Sequence, residues 1–567
     1  MPISKKEVIS IAIILLISLS GLALTLFTLN VWDVTQKGIL FNVDVPKLPA
    51  EYKPIANHTV VVLIDGLRYD TALRIAKEGK GILSTIYNEG AWFEKVETVF
   101  PSISPVVRAS ALTATLPEIH GYTGYGVENY NLSLNLDFNV FKLAGERGYT
   151  TAIIADPLAG GEFWKWVDEV IENKWLLDEE VHNLFINLIE KGDLPNLIYV
   201  CYVDTDTAGH KYGGISSEYY NTALNASIFI EEDFEKFYNA TNGDAIFIVF
   251  SDHGHTDKGG HGGTEREVMH SFLGFIGKNV IKAHIYEEIK IYQIGATVSF
   301  ILGIPLPKYS ILPPIFDAFN TSAERVAGYK IHFAHLKINQ IRGLAEEIGR
   351  LSDVEGRISE LNSTLSEAYK AYGDGNYTLA ESLADGIIQE AVIIFNKLLS
   401  SAIFNKILIK VGIVALLIGL TSILLAVIGK RYNILYSIAG GSALYLISLI
   451  LFIILFLAVG ESFSMSGRPI FSSLIIGIIS GLIAYLFILY LSKSGRISEI
   501  KPHVAIPIAT LAGFLVQLSL FIISGIISIE PLEIQYAFTG IVLEIVSVGI
   551  IIGYGISLIL ANKFFTK

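Results

Sequence analysis

The chain has 567 residues, of which 51% are hydrophobic and 17% charged, with a formal net charge of −13. Soluble domains run nearer about 25% charged, so an ordinary soluble enzyme is excluded, and the acidic balance argues against nucleic acid, whose phosphates need a basic face. The single cysteine, Cys201, excludes an internal disulfide framework and, in the run Ile198-Tyr-Val-Cys-Tyr-Val203, reads as a buried strand position.

The chain opens with an apolar run over 8–32, preceded by Lys5 and Lys6. Small residues at Gly21-Leu-Ala23 would suit a cleaved signal peptide, but the run continues through Leu29, which favours an uncleaved anchor. Five further apolar spans are predicted at about 406–429, 434–460, 471–492, 506–528 and 540–562, each long enough to cross a bilayer. In a six-span arrangement Lys5, Lys6, Lys430, Arg431, Lys493, Arg496, Lys501, Lys563 and Lys567 share one side, against Arg468, Lys406 and Lys410 on the other. That asymmetry places both termini in the cytoplasm and the 33–404 segment outside it, in a multi-pass protein of the cell membrane. Glycosylation sequons agree: they begin at Asn57, Asn131, Asn225, Asn239, Asn320, Asn362 and Asn376, all within that outer segment.

The expected organisation follows. Residues 1–32 form the cytoplasmic N-terminus and anchor, and 33–56, with Pro46, Pro49 and Pro54, an extended linker. Residues 57–315 form an extracytoplasmic catalytic domain, 316–404 a helical hairpin or stalk, and 405–567 a five-span transmembrane domain. In the catalytic domain uniformly apolar, β-branched runs recur at 59–64, 151–155, 197–203 and 245–250, as for strands covered on both faces. Amphipathic segments at 138–147 and 219–237 lie between them, and the alternation predicts a doubly wound α/β domain. In the stalk, apolar residues recur at helical spacing over 336–344 and 361–372, and Gly373-Asp-Gly-Asn376 marks a break between two helices.

Acids and histidines follow the predicted strands. Asp65-Gly66 ends the first; Asp204 and Asp206 end another, with His210 four residues on; Asp252-His253 ends a third, before the loop Gly254-His-Thr-Asp-Lys-Gly-Gly-His261-Gly-Gly. Ligand sites in open α/β sheets form beyond the carboxyl ends of strands, and a mixed Asp/His set there suits zinc, with manganese the alternative. Any one of these could be a turn residue or a surface histidine, but three such sites in one domain point together to a metal centre. In the segment 98–113, Ser104 precedes Pro105 and reads as the N-cap of a helix. It is either a cap only, or a hydroxyl whose ionisation a helix N-terminus and a nearby metal favour.

These residues carry a resemblance. Asp65-Gly66, Phe100-Pro-Ser-Ile-Ser104 with Leu116-Pro-Glu-Ile-His120-Gly121, Asp206-Thr-Ala-Gly-His210, and Ser251-Asp-His-Gly254 with His261-Gly-Gly263 stand in the order seen in the alkaline phosphatase superfamily. The set is most similar to the type I phosphodiesterase/nucleotide pyrophosphatase branch, over about 57–315, including the segment 294–305. The resemblance implies two divalent cations, one held by Asp65, Ser104, Asp252 and His253, the other by Asp206, His210 and His261, with Ser104 as nucleophile. Ser102 is the competitor for that role, His255 and Asp257 the alternatives to His261, and Asp204 has no firm place. Where close relatives often carry a phosphate-binding Asn, this chain has Val107; Arg108 beside it is the candidate substitute, or else a surface arginine.

The implied activity is two-metal hydrolysis of phosphodiesters or phosphomonoesters through a phosphoserine. The membrane architecture also resembles the ethanolamine-phosphate transferases of GPI-anchor assembly, which makes transfer of a phospho-alcohol from lipid to glycan the alternative. The partners expected are thus a phosphate ester, of lipid or glycolipid type in the second case, and the membrane. A non-catalytic transporter or receptor is the third reading, disfavoured because the span interiors are nearly bare of ionisable residues.

Overall fold

The computed structural model describes residues 38–122, 136–155, 160–171 and 176–432. In chain order the strands are β1 (His58–Ile64), β2 (Ala91–Glu97), β3 (Thr151–Ile154), β4 (Glu169–Val170), β5 (Leu197–Tyr202), β6 (Ala245–Phe250), β7 (His270–Ser271), β8 (Leu273–Gly277) and β9 (Ala283–Lys290). They make one sheet in the order β4-β3-β5-β1-β6-β8-β2-β7, with β9 paired to β2. The longer helices are α1 (Tyr69–Lys77), α2 (Gly81–Glu89), α3 (Ser104–Thr113), α4 (Asp178–Lys191), α5 (Asp204–Tyr212), α6 (Ser217–Ala240), α7 (Gln293–Leu302), α8 (Ala323–Glu347), α9 (Leu351–Gly373) and α10 (Tyr377–Tyr432).

The four apolar runs read from the sequence are β1, β3, β5 and β6, and with β4 they form a parallel half-sheet. Every residue of β3, β5 and β6 is buried, as two-sided coverage requires. One face of β1, β5 and β6 presents Val60, Val62, Ile198, Val200, Phe247 and Val249 to Ile75, Ile86, Phe185, Ile230 and Phe237 of α1, α2, α4 and α6. On β1, α7 packs from the side that α3 also shares. The remaining strands correct the expectation of a purely doubly wound sheet. β8 runs antiparallel to β6 and β2, and β7 antiparallel to β2, so the sheet is mixed. The added strands escaped notice because they are short or carry charges such as Glu94, Lys95, Glu287 and Glu288, which break the uniform apolar pattern.

Residues Lys37–Ile403 make one compact unit. The expected helical region is present: α9 ends at Gly373 and α10 starts at Tyr377, so the Gly-Asp-Gly-Asn break stands where the sequence places it. α8, α9 and the first turns of α10 bury Ile338, Ile341, Ile358, Leu361, Ile387, Phe395 and Leu398 against each other. α8 also grips the sheet-bearing part of the unit, since the Tyr329 hydroxyl meets the carbonyls of Ser299 and Ile304 at 3.1 and 2.9 Å. The lead segment is extended, as expected, but not a free tether. Ile39 and Phe41 enter the helical core, and Ile55 N–H donates to Ile301 O at 2.7 Å.

One stretch, Tyr377–Asn405, is long and apolar enough to cross a membrane by length and composition. Its Ala380, Ala384, Ile387, Ala391 and Phe395 line the helical core, while Leu379, Ile393 and Phe404 are exposed. The span expected at 406–429 falls within the backbone of α10. The anchor at 8–32 and the four later spans lie outside the described residues.

Candidate active site

Three parallel strands deliver the acids. β1 ends at Ile64 and is followed by Asp65, β5 leads into α5 with Asp204 and Asp206 in its first turn, and β6 leads into Asp252 and His253. Because β1 lies between β5 and β6, their carboxyl ends are adjacent and the carboxylates converge. Gly66 permits this approach: its φ is +72°, and a Cβ there would stand 2.8 Å from His255 Nε2 and 3.0 Å from the Asp206 Cα.

Two groups result. In the first, His253 Nε2 is 3.6 Å from Asp65 Oδ1 and 3.5 Å from Asp252 Oδ2. Ser104 Oγ is 3.2 Å from Asp65 Oδ1 and 3.1 Å from His253 Nε2. The helix cap at α3 is Ile103, without a side-chain cap bond, and Ser104 is the first helical residue. This corrects the N-cap assignment, and it leaves the hydroxyl turned to the acid cluster instead of to its own helix. In the second group, His261 Nε2 and His210 Nε2 are 3.0 Å apart, and Asp206 lies 3.4 Å from His261 and 3.5 Å from His210. The His253 and His261 rings stack with centroids 3.6 Å apart, so the two groups adjoin.

Hydrogen bonds sort the imidazoles. His253 Nδ1 faces Gly254 O at 3.1 Å and His261 Nδ1 faces Ser102 O at 2.9 Å. A carbonyl demands a proton on Nδ1, so both rings turn a bare Nε2 into the cluster, as metal-bound histidines do. His255 is the reverse. Its Nδ1 accepts from Gly260 N–H at 3.1 Å, which puts the proton on Nε2, donating to Asp206 Oδ1 at 2.9 Å. His255 therefore has the bonding of a group that orients Asp206, while His261 has that of a ligand.

The electrostatics point the same way. Burial, with Asp252 and Asp206 nearby, raises the Asp65 carboxyl well above the usual range, and burial brings Asp252 up to about 6. Burial works against ionisation of Asp206 too, but the hydrogen bond from His255 and the imidazoles of His261 and His210 outweigh it and hold that carboxyl low. Burial keeps His253 below its ordinary range and brings His261 down to about 3. Asp252 Oδ2 is buried without a hydrogen-bond partner. Crowded carboxylates, bare imidazole nitrogens and an orphaned carboxylate oxygen are the complement of divalent cations, and the Asp65/Asp252/His253, Asp206/His253/His261 and Asp206/His210/His255 groupings are each sized to hold one.

The other candidates separate cleanly. Ser102 is buried as a brace: its Oγ donates to Gly263 O at 2.8 Å and accepts from Gly262 N–H at 3.1 Å. Asp257 is exposed and paired with Arg68 at 2.8 Å. Asp204 accepts from Asp178 N–H at 3.1 Å, while Asp178 accepts from the Val203 and Asp204 amides, so it ties α4 to α5. His120 staples α3, its Nε2 2.9 Å from Ser110 Oγ. Arg108 is not on the surface: it is 1% exposed, its Nε donates to Glu162 Oε1 at 2.8 Å, and its Nη1 is 3.9 Å from Asp65 Oδ2. Glu162 was missed in the sequence, where it is a lone acid in the run Gly161-Glu-Phe-Trp with no spacing to mark it.

Comparison with known proteins defines the class first. Residues 59–142 and 127–270 match the family described as type I phosphodiesterase/nucleotide pyrophosphatase. The match spans 59–270 and agrees with the resemblance read from the motifs, which is to the same family. A particular relative is GPI ethanolamine phosphate transferase 2 of Kluyveromyces lactis, 22% identical over 338 residues. The match covers 52% of this chain and 41% of that relative, so this chain spans well under two thirds of it. Among solved structures, human ectonucleotide pyrophosphatase/phosphodiesterase 5 aligns with TM-score 0.40 and 13% identity, covering 47% of this chain and 100% of that one. An alkaline phosphatase superfamily protein from Vibrio parahaemolyticus aligns with TM-score 0.37 and 16% identity, covering 52% of this chain and 78% of that one.

Proposed function

We propose that the protein is a membrane-anchored, two-metal phosphoric-ester hydrolase whose domain acts outside the cytoplasm through a phosphoserine at Ser104. The observation that carries this reading is the placement of Ser104 Oγ within 3.2 Å of Asp65 and 3.1 Å of His253 Nε2. Asp65, Asp252, His253 and Ser104 would hold one cation, and Asp206, His210 and His261 the other. When bound, the pair supplies Lewis-acid stabilisation of charge on the phosphoryl, nucleophile and leaving-group oxygens. Zinc suits the nitrogen-rich second group, with manganese the alternative.

The chain's own part is positional. The α3 N-terminus lies beside Ser104 and favours negative charge on its oxygen and on a phosphoryl group. Asp65 Oδ1 is the acceptor nearest the hydroxyl proton. His255 fixes Asp206, and Ser102 fixes the loop bearing His261. Ser104 Oγ, giving its proton to Asp65, bonds to phosphorus as the bond to the leaving oxygen breaks, and that oxygen takes a proton from Asp65 or solvent. An acceptor hydroxyl then attacks the phosphoserine and gives up its proton, and the freed Ser104 oxygen is reprotonated.

If the acceptor is water the protein is a phosphodiesterase or phosphatase. Similarity to the Kluyveromyces lactis transferase favours a second reading, in which the acceptor is a glycan hydroxyl and the donor a phospholipid. Detergent-purified full-length protein incubated with headgroup-labelled phospholipid and a glycolipid acceptor separates the two. Label released only to water supports the hydrolase, and label on the glycolipid supports the transferase. Activity that survives exhaustive chelation, or that survives Ser104→Ala, overturns both.

A further inference from the structure

A buried arginine, Arg68, reaches from the turn that bears Asp65 to the loop that carries His255 and His261. It stands three residues after Asp65, at the N-cap of α1, with its side chain 7% exposed. Its own amide donates to the Tyr219 hydroxyl at 2.8 Å, and that hydroxyl donates to Gly66 O at 2.6 Å, so the turn leaving β1 is fixed where Arg68 departs from it. Nε and Nη2 meet the two oxygens of Asp70 at 2.9 and 2.7 Å. Nη1 donates to Asp257 Oδ1 at 2.8 Å and to the His255 carbonyl at 3.0 Å. Two glycines make way for the stem: a Cβ at Gly254 would stand 3.1 Å from Arg68 Cγ, and one at Gly214 would stand 3.1 Å from Cδ. A planar five-donor fork serves these partners together, which the point charge of a lysine does not.

The loop needs such a hold. Gly259, Gly260 and Gly262 take φ of +94°, +88° and +102°, and glycines lose the most conformational freedom when ordered. Ser102 holds the far end at Gly262 and Gly263, and Arg68 holds the near end at His255. The near end matters because the His255 ring lies directly on α5: a Cβ at Gly209 would stand 2.4 Å from its Cδ2, and its Nε2 meets Asp206 Oδ1 at 2.9 Å. Asp70 and Asp257 are 64% and 62% exposed, and ion pairs to such groups contribute little. The buried bond to the His255 carbonyl is therefore the contact that positions. We propose that Arg68 is a positioning residue that registers the second cation's ligands against the first. Tied to the turn bearing Asp65, it fixes the His255 backbone and, through the His255 ring, the Asp206 carboxylate. The inference rests on the two-metal reading above, and in it Arg68 touches neither cation nor substrate.

The test strips full-length wild type, Arg68→Gln, Arg68→Lys and Asp257→Asn of metal and titrates each with zinc against a competing chelator. His210→Ala marks which of the two binding steps belongs to the second group. In Arg68→Gln the affinity of that step is expected to fall about tenfold to a hundredfold, while the other step stays within about twofold. Arg68→Lys keeps the charge without the fork and recovers part of the loss. Asp257→Asn leaves the His255 carbonyl bond in place and moves the second step less than about fivefold. Hydrogen exchange of the 255–260 amides in metal-free protein should quicken in Arg68→Gln and not in Asp257→Asn. A residue that merely stabilised the fold would lower Tm and weaken both steps together. Equal losses at both steps, or an unchanged second step in folded Arg68→Gln, overturn the assignment, as does a loss in Asp257→Asn as large as in Arg68→Gln. If Arg68→Gln does not fold, Arg68→Lys is judged by the same criterion, the second step weakened and the first kept. Wild type that takes up fewer than two zinc ions overturns the two-metal reading itself.

Discussion

Ser102 and Ser104 are two residues apart and both buried, yet the structure gives them opposite roles, so Ser102→Ala tests the site most sharply. The change removes the donor to Gly263 O and the acceptor for Gly262 N–H, at 2.8 and 3.1 Å. Two buried hydrogen bonds at about 1 kcal/mol each, plus the desolvation of stranded backbone partners, amount to about 2–4 kcal/mol. For a unit of this size that is a fall in Tm of roughly 3–5 °C. The Ser102 carbonyl that receives His261 Nδ1 is backbone and survives the substitution. His261 therefore keeps its tautomer, and zinc affinity and kcat/KM should drop about tenfold or somewhat more, without vanishing. Differential scanning calorimetry, zinc titration and acid-quenched phosphopeptide mapping read the three effects. Phosphate recovered on Ser102, or a Ser102→Ala protein of wild-type Tm with no turnover, would refute the assignment.

Gly66→Ala forces an alanine to φ +72° and sets its Cβ 2.8 Å from His255 Nε2. Backbone strain of about 1–2 kcal/mol and displacement of the His255–Asp206 bond should weaken the cation at Asp206, His210 and His261, lowering metal stoichiometry in a competition titration; two tightly held cations would contradict this. Lys337 on α8 is fully buried, donates to Ser310 O at 3.1 Å, and burial brings its pKa down to about 7. A lysine whose folded pKa lies below its unfolded one costs most stability below about pH 7, and the cost fades as pH rises toward about 10.4. Lys337→Met should therefore raise Tm at pH 6–7, with a gain that shrinks by pH 10. A loss of Tm at pH 6 would show that the Phe395 ring, 4.3 Å away, and Ser310 O suffice to hold the charge.

How much of this was legible in the sequence follows from how each residue announces itself. Asp65, Asp206 and Asp252 stood out because each follows a fully apolar strand, and parallel register alone brings such ends together. His210 and His261 were legible through short spacings to those acids. Ser104 was favoured over Ser102 by its spacing from His120-Gly121, a count that an error of two residues would have shifted; the opposed hydrogen bonds of the two hydroxyls now separate them. Glu162 was illegible, because only three-dimensional proximity to Arg108 gives it meaning. His255 looked like a weaker copy of His261 until the Gly260 amide fixed its tautomer. In the fold, the parallel core was readable from uniform apolarity, whereas β2 and β9 were hidden by the charges that interrupt their apolar pattern.

The central claim is that two cations sit among these side chains beside the Ser104 oxygen. Anomalous diffraction at the zinc edge from crystals of the purified protein measures this directly. The account predicts two peaks, one touching Asp65, Asp252, His253 and Ser104 and the other touching Asp206, His210 and His261. Peaks elsewhere, or a metal-loaded site with Ser104 Oγ turned out of reach of both ions, would contradict it.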